Sequence, residues 1–171
     1  MPRHRGTLAV PGAGLTPVAW ILGRFLPACA GVGTHGLPDF KPLDFTSLKR
    51  PRRPNEAVAA PASTGLEPDF LSPTFSLSAD RLIGTVIDVA ARQPRTTLAA
   101  RFGDPAQLWF VSRSFWCNFP DLIVAQALPE GPKRSHLLLY SRSVYGYADF
   151  GVNRRRMSGW LAAIDEAARK G

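Results

Sequence analysis

Between Arg95 and Val144 the chain is written as four runs rich in apolar, β-branched and aromatic residues, at about 95–102, 107–116, 121–128 and 135–144. Short clusters of turn formers separate them: Gly103-Asp104-Pro105, Cys117-Asn118-Phe119-Pro120 and Pro129-Glu130-Gly131-Pro132. Runs bounded this way read as strands. Connections this short join antiparallel neighbours, because a parallel crossover needs a dozen or more residues. The spacing therefore predicts a four-stranded antiparallel meander.

A helix is predicted on each side of it. Ser78 is placed to cap a helix in which Leu82, Ile83, Val86, Ile87, Val89 and Ala90 recur at helical spacing until Pro94 stops it. Gly84 weakens that helix and suits close approach of a neighbouring strand. A second helix is predicted from about Val152 to Arg169, with Met157, Trp160, Leu161, Ile164 and Ala168 on one face and Asn153 or Asp149 as cap. Helix, four strands, helix gives an α+β domain. Both helices pack on one face of the sheet, and the other face is left to water, to a partner or to the N-terminal chain.

The chain upstream divides at about residue 37. Residues 37–73 are rich in proline and charge, and Lys49-Arg50-Pro51-Arg52-Arg53-Pro54 lies at their centre. Proline on both sides of the arginines keeps such a segment extended. We expect a strap that docks through Phe40, Leu43, Phe45 and Leu48 onto a core of residues 74–171, the two forming one domain. The basic cluster reads as a solvated linker or as a contact for anionic lipid or nucleic acid. Residues 1–36 read as a tail. Within it Pro17, Val18, Ile21, Leu22 and Phe25 fit a short amphipathic helix, and Leu26-Pro27-Ala28-Cys29 faintly resembles a lipoprotein cleavage box. The prolines, the glycines and Arg24 argue against a spanning helix.

With 171 residues and 45% hydrophobic content the chain has enough apolar material for a packed core, which excludes global disorder. The net charge of +8 suits an anionic partner of some kind: nucleic acid, a membrane surface or an acidic ligand. Cys29 and Cys117 are too few and too far apart to argue for a disulfide framework, and with His4, His35 and His136 scattered no metal-ligand spacing appears. Neither a metal nor a cofactor is expected.

Two strand candidates carry the same phrase, Ser112-Arg113-Ser114 and Ser141-Arg142-Ser143. Arginine is almost never fully buried unpaired, so each implies a partner. In a strand the arginine faces away from its flanking serines. Asp149 is the nearest partner for Arg142, around Gly146, and Asp121 for Arg113, around Phe119-Pro120; such pairs would be structural clamps. Arg154, Arg155 and Arg156 stand in the first turn of the last helix, where the macrodipole disfavours cations by about 0.3–1 kcal/mol each. A bound anion would offset that. The candidate anion site is therefore Arg142, Asn153, Arg154 and Arg156, walled by Tyr145, Tyr147 and Trp116.

The run from Tyr140 to Arg156 resembles the C-terminal signature of the family catalogued as domain of unknown function 1499, in which Ser141, Arg142, Ser143, Gly146, Asp149, Gly151, Asn153 and Arg156 each match. Pro54-Asn55, the Val111 to Ser114 strand and Phe119-Pro120-Asp121 agree with it, so the resemblance covers roughly Leu43 to Leu161. One departure is that many relatives carry a cysteine shortly after the Pro-Asn, where this chain reads Glu56-Ala57-Val58-Ala59-Ala60-Pro61. The resemblance implies an envelope location, since relatives are frequently found behind an anchor or export signal. It implies no chemistry.

Three function classes follow. The first is a non-enzymatic, envelope-associated binding or assembly domain that recognises an anionic small molecule, a lipid headgroup or a protein carboxylate, with peripheral membrane contact. It is favoured because the chain offers cations and aromatics without a nucleophile, base and orienter set. The second is a small hydrolase or lyase using Asp121, Asp149 or His136 as base, none of which sits in a Ser-His-Asp or metal context. The third is nucleic-acid binding through Lys49–Arg53 and Arg154–Arg156, against which Trp109, Phe110 and Trp116 form no recognisable RNA-binding motif.

Overall fold

Ser78 begins the first helix as its spacing predicts: its hydroxyl accepts from the Arg81 N–H at 3.4 Å, and α1 runs Ala79–Ala91. The computed structural model describes residues 37–48, 54–115 and 117–170. The expected tail at 1–36, the basic cluster at 49–53 and Trp116 lie outside them. The apolar stripe of α1 buries Leu82, Ile83, Val86, Val89 and Ala90. Gly84, however, lies on the exposed side with nothing within 4 Å of a Cβ placed there, so no strand approaches it. The last helix, α2, covers Val152–Lys170 and buries Met157, Trp160 and Ile164.

The fold is α+β, and its sheet is larger than the expected four strands. In chain order the strands are β1 Glu56–Ala60, β2 Phe70–Leu71, β3 Thr74–Phe75, β4 Thr96–Phe102, β5 Gln107–Arg113, β6 Pro120–Gly131 and β7 Arg134–Ser143, with a short 3-10 turn at Ala62–Thr64. They form one mixed seven-stranded sheet in the order β2-β1-β7-β6-β5-β4, with β3 also pairing β7. β4 to β7 pair antiparallel in sequence order, and β1 joins antiparallel to β7 and parallel to β2. The correction concerns residues 54–73, which the proline content assigned to a strap. Ala57 to Ala60 are instead fully buried in an interior strand. Alanine has little strand preference of its own; burial between two neighbours and two packed faces overrides it.

Register divides the sheet into two cores. Ala57, Ala59, Leu108, Phe110, Ile123, Ala125, Leu137 and Leu139 face the helices, where the Phe110 ring meets Trp160 edge-on at 5.4 Å. Val58, Ala60, Trp109, Val111, Leu122, Val124, Leu138 and Tyr140 face the other way. That second face is covered by residues 37–48: Phe45 is buried there, and Phe40, Leu43 and Leu48 pack around it, Phe40 against Trp109 at 5.5 Å.

A fully buried amide fastens this strap. Gln107 accepts from the Leu43 N–H at 2.7 Å and donates to the Leu43 carbonyl at 3.0 Å, so one side chain imitates a rung of sheet pairing. The same Gln107 donates to Gln126 at 2.9 Å and accepts from the Trp109 indole at 3.0 Å. Beside it, the Thr46 hydroxyl, helped by Ser47 and the Thr46 N–H, holds the Asp44 carboxyl below its ordinary value and closes a turn in the strap.

Candidate functional site

At one end of the sheet the helix-facing positions change from apolar to polar. Ser112, Asp121, Ser141 and Ser143 continue the rows of Phe110, Ile123 and Leu139, and register aligns Ser112 with Asp121, and Asp121 with Ser143. Asn55 precedes β1 on the same side. Over this patch lies the first turn of α2.

Asn153 is its centre and is wholly buried. Its amide nitrogen lies 3.0 Å from the Asn55 carbonyl, 3.0 Å from the Ser143 hydroxyl and 2.7 Å from an Asp149 carboxylate oxygen. Its carbonyl oxygen accepts from the Ser141 hydroxyl and, at 2.7 Å, from Arg156. Arg156 continues to Asp121 at 2.7 Å, an ion pair whose side chains are 15% and 10% exposed. Asp149 accepts from the N–H groups of Gly151 at 2.8 Å and Asn153 at 2.7 Å, which satisfies donors that a helix start leaves orphaned. Asn55 donates to the Gly146 carbonyl at 2.7 Å. Gly146 and Gly151 have φ of +83° and +76°, so the loop between β7 and α2 turns at two positions that favour glycine.

The predicted site residues thus fall into separate places. Arg156 and Asn153 are interior struts. Arg154 donates to Asp69 at 2.9 Å with its guanidinium 4.9 Å from the Phe70 ring, fastening α2 to the β2 edge. Arg155 donates to the Phe150 carbonyl at 2.9 Å. The Asp149 carboxylate at the helix start and Asp121 on Arg156 both act against the cost of arginines in the first turn. Tyr145 and Tyr147 are exposed in the loop after β7.

The expected clamps do not form. Arg142 lies opposite Glu56 and Leu122, on the strap-facing side, while Asp149 caps α2 on the helix side. Likewise Arg113 pairs in register with Pro120, and Asp121 with Ser112, so Arg113 and Asp121 face opposite ways. Arg113 donates instead to the Asn118 carbonyl at 3.2 Å. The arginine of Ser141-Arg142-Ser143 does face away from its serines, and those serines hold Asn153.

Arg142 is exposed, and its guanidinium makes no hydrogen bond or ion pair with any described residue. It lines a cleft of about 460 Å³ with Leu48, Asn55, Glu56, Trp109 and Tyr140, in which the Tyr140 hydroxyl donates to Glu56 at 3.0 Å. The basic cluster 49–53 follows the lining residue Leu48 in sequence and precedes, through Pro54, the lining residue Asn55.

The three candidate bases are not brought together. Asp121 and Asp149 are committed as above, and His136 sits at the other end of β7 beside Glu130 at 3.2 Å. Of the aromatics considered for stacking, Trp109 and Phe110 are buried on opposite faces of the sheet. Among the described residues no group of three or more His, Cys, Asp or Glu side chains is placed to hold a metal, and no helix is long and apolar enough to cross a membrane. Cys117 is disulfide-bonded, which spacing alone did not suggest. Asn55, Gln107 and Asp69 carried no sequence signal of their roles; only the position of Asn55 in the Pro-Asn pair marked it.

The model of the family described as protein of unknown function (DUF1499) matches residues 47–164. No curated protein sequence matches the chain. Among solved structures, a START superfamily protein from Mycobacterium smegmatis is similar at 11% identity, covering 68% of this chain and 98% of that one, with a TM-score of 0.39.

Proposed function

The chain belongs to the DUF1499 family of proteins of unknown function, and we propose that it is a non-enzymatic, envelope-associated binding domain that takes an anionic group at the cleft of Arg142. The observation that carries this reading is a guanidinium held on a rigid interior strand, in a cleft of ligand-binding size, with no ion pair or hydrogen bond to any described residue. Arg156, the other arginine of the signature, and Arg154 beside it have partners within the fold. Carboxylate, sulfate and phosphate all match the planar fork of arginine. The basic cluster 49–53, adjoining the cleft in sequence, adds charge of the same sign.

The envelope assignment is supported by the location that the family resemblance implies. Fractionation tests it: recovery with the cytoplasmic fraction alone overturns it.

A thermal-shift titration with inorganic phosphate, sulfate and citrate tests the cleft. We expect an anion to raise the midpoint of the wild type and to leave Arg142→Ala unshifted, while the unliganded midpoint of that variant stays close to wild type because the side chain is exposed. No shift with any anion, or an undiminished shift in Arg142→Ala, refutes the reading.

A further inference from the structure

Beyond the Arg142 cleft, and on different residues, the loops at the polar end of the sheet carry a second surface. Of the nine large hydrophobic side chains exposed among the described residues, six lie in or next to two loops: Phe115, Phe119, Tyr145, Tyr147, Phe150 and Val152. The described parts of the two loops, 114–115 with 117–119 and 144–151, lie side by side: the Val144 N–H donates to the Pro120 carbonyl at 3.1 Å, and the Phe119 and Tyr145 rings are 6.0 Å apart. Scattered exposed apolar residues need no explanation, but six gathered in or next to two adjoining loops do.

Phe150 makes the case sharpest. Its side chain is 91% exposed and its φ is +54°. A bulky residue in the left-handed region is strained, and an exposed phenyl ring gains no packing in return. Glycine or asparagine would serve the turn better. The loop thus holds a phenyl ring out in solvent at a cost the fold does not recover, and burial of that ring in an apolar phase would recover it.

The charges around the rim identify the phase. Arg95 stands 5.8 Å from the Phe115 ring and is fixed by Arg113 and Asn118, and Arg155 is held on the Phe150 carbonyl. The carboxylates nearest the loops, Asp121 and Asp149, are committed to Arg156 and to the start of α2. Exposed aromatic rings with an arginine beside Phe115 and another beside Phe150, on a chain of net charge +8, match the interface of an anionic bilayer. We propose that this rim docks the protein on an anionic phospholipid surface, with Phe150 and Tyr147 entering the membrane.

The test is co-sedimentation of the full chain with vesicles of phosphatidylcholine alone and of phosphatidylcholine mixed with phosphatidylglycerol. Binding is expected to the mixed vesicles, weakened by salt. Phe150→Asn, which keeps a residue tolerant of positive φ, and Tyr147→Ser should each lower partitioning by about tenfold, from the apolar surface no longer buried, with the thermal midpoint held. Absence of binding, equal binding to both vesicles, or binding lost in Arg142→Ala but kept in the rim variants overturns the proposal. The last result would assign the membrane contact to the cleft. Stabilisation by soluble anions is read without vesicles, so either reading can fail alone.

Discussion

Replacing Asn153 by alanine should destabilise this protein more than any change to the exposed arginines beside it. The amide is fully buried; its nitrogen, with two hydrogens, lies within reach of three acceptors and its oxygen accepts from two donors. Not all of those partners are stranded by its loss. The Asn55 carbonyl still accepts from the Ser143 N–H at 3.0 Å, Asp149 keeps the backbone N–H groups, and Arg156 keeps Asp121. What is lost outright is the acceptor for the Ser141 hydroxyl and the link from α2 to Asn55, while Arg156 Nη1 gives up its 2.7 Å bond and keeps only the Ser141 oxygen at 3.4 Å. Counting a buried hydroxyl and a charged donor left short, at about 1–3 kcal/mol each, the cost is about 3 kcal/mol. Arg154→Ala removes a half-exposed ion pair and a ring contact worth about 1 kcal/mol or less together. In urea, with a slope of about 1.5 kcal/mol/M, the Asn153 variant should unfold about 2 M earlier and the Arg154 variant less than 1 M earlier. Asn153→Asp is the informative companion. It fills the same space and keeps the acceptor, but sets an oxygen where a donor met Asp149 at 2.7 Å, so it should cost at least as much as alanine at neutral pH. If Asn153→Ala falls within 1 kcal/mol of Arg154→Ala, or Asn153→Asp is tolerated, the polar cluster does not hold the helix as described.

Two further outcomes can be measured on the same footing. Gln107→Leu removes the clasp on Leu43 and leaves the Trp109 indole and Gln126 without their shared partner; we expect a loss of about 2–4 kcal/mol and faster proteolytic cleavage within residues 37–48, and unchanged cleavage would show that the apolar anchors hold the strap unaided. Gly84→Ala meets open space on the exposed side of α1 and should stabilise by about 0.5–1 kcal/mol through helix propensity, read as a higher denaturation midpoint.

What sequence reasoning recovered, and what it missed, follow from the range of the interactions. Both helices were legible because their signals are local: a serine cap, a proline stop and a repeat of apolar residues every three to four positions. The longer strands β5, β6 and β7 announced themselves through β-branched and aromatic residues between turn formers. β1 did not, since Glu56-Ala57-Val58-Ala59-Ala60 is a weak strand on propensity and is made one by β7 beside it. Strands of two residues, such as β2 and β3, leave no period to detect. The same limit explains the clamps. Nearness in sequence suggested Arg142 with Asp149, but which face each residue takes depends on register, and a shift of one residue exchanges the faces. Asp121 emerged as the partner of Arg156, across 35 positions, which no spacing rule reports. At the arginine-rich helix start the neighbouring carboxylates, Asp149 and Asp121, come from four positions and 35 positions away.

The position of β1 also bears on the order in which the protein can assemble. Glu56–Ala60 sits between β2 and β7, and β7 spans Arg134–Ser143. During synthesis the segment must wait for nearly eighty further residues before its main pairing edge exists, and Leu43 must wait for Gln107. Closing such long loops is slow, and a strand whose main pairing edge is left open is a site for wrong pairing. Until β7 is made, the early part of the chain has helix α1 and apolar segments but no complete surface to place them on. A nascent chain interrupted before Arg134 would therefore present Phe40, Phe45 and the β1 backbone together, the state in which a holding chaperone would be of most use to it.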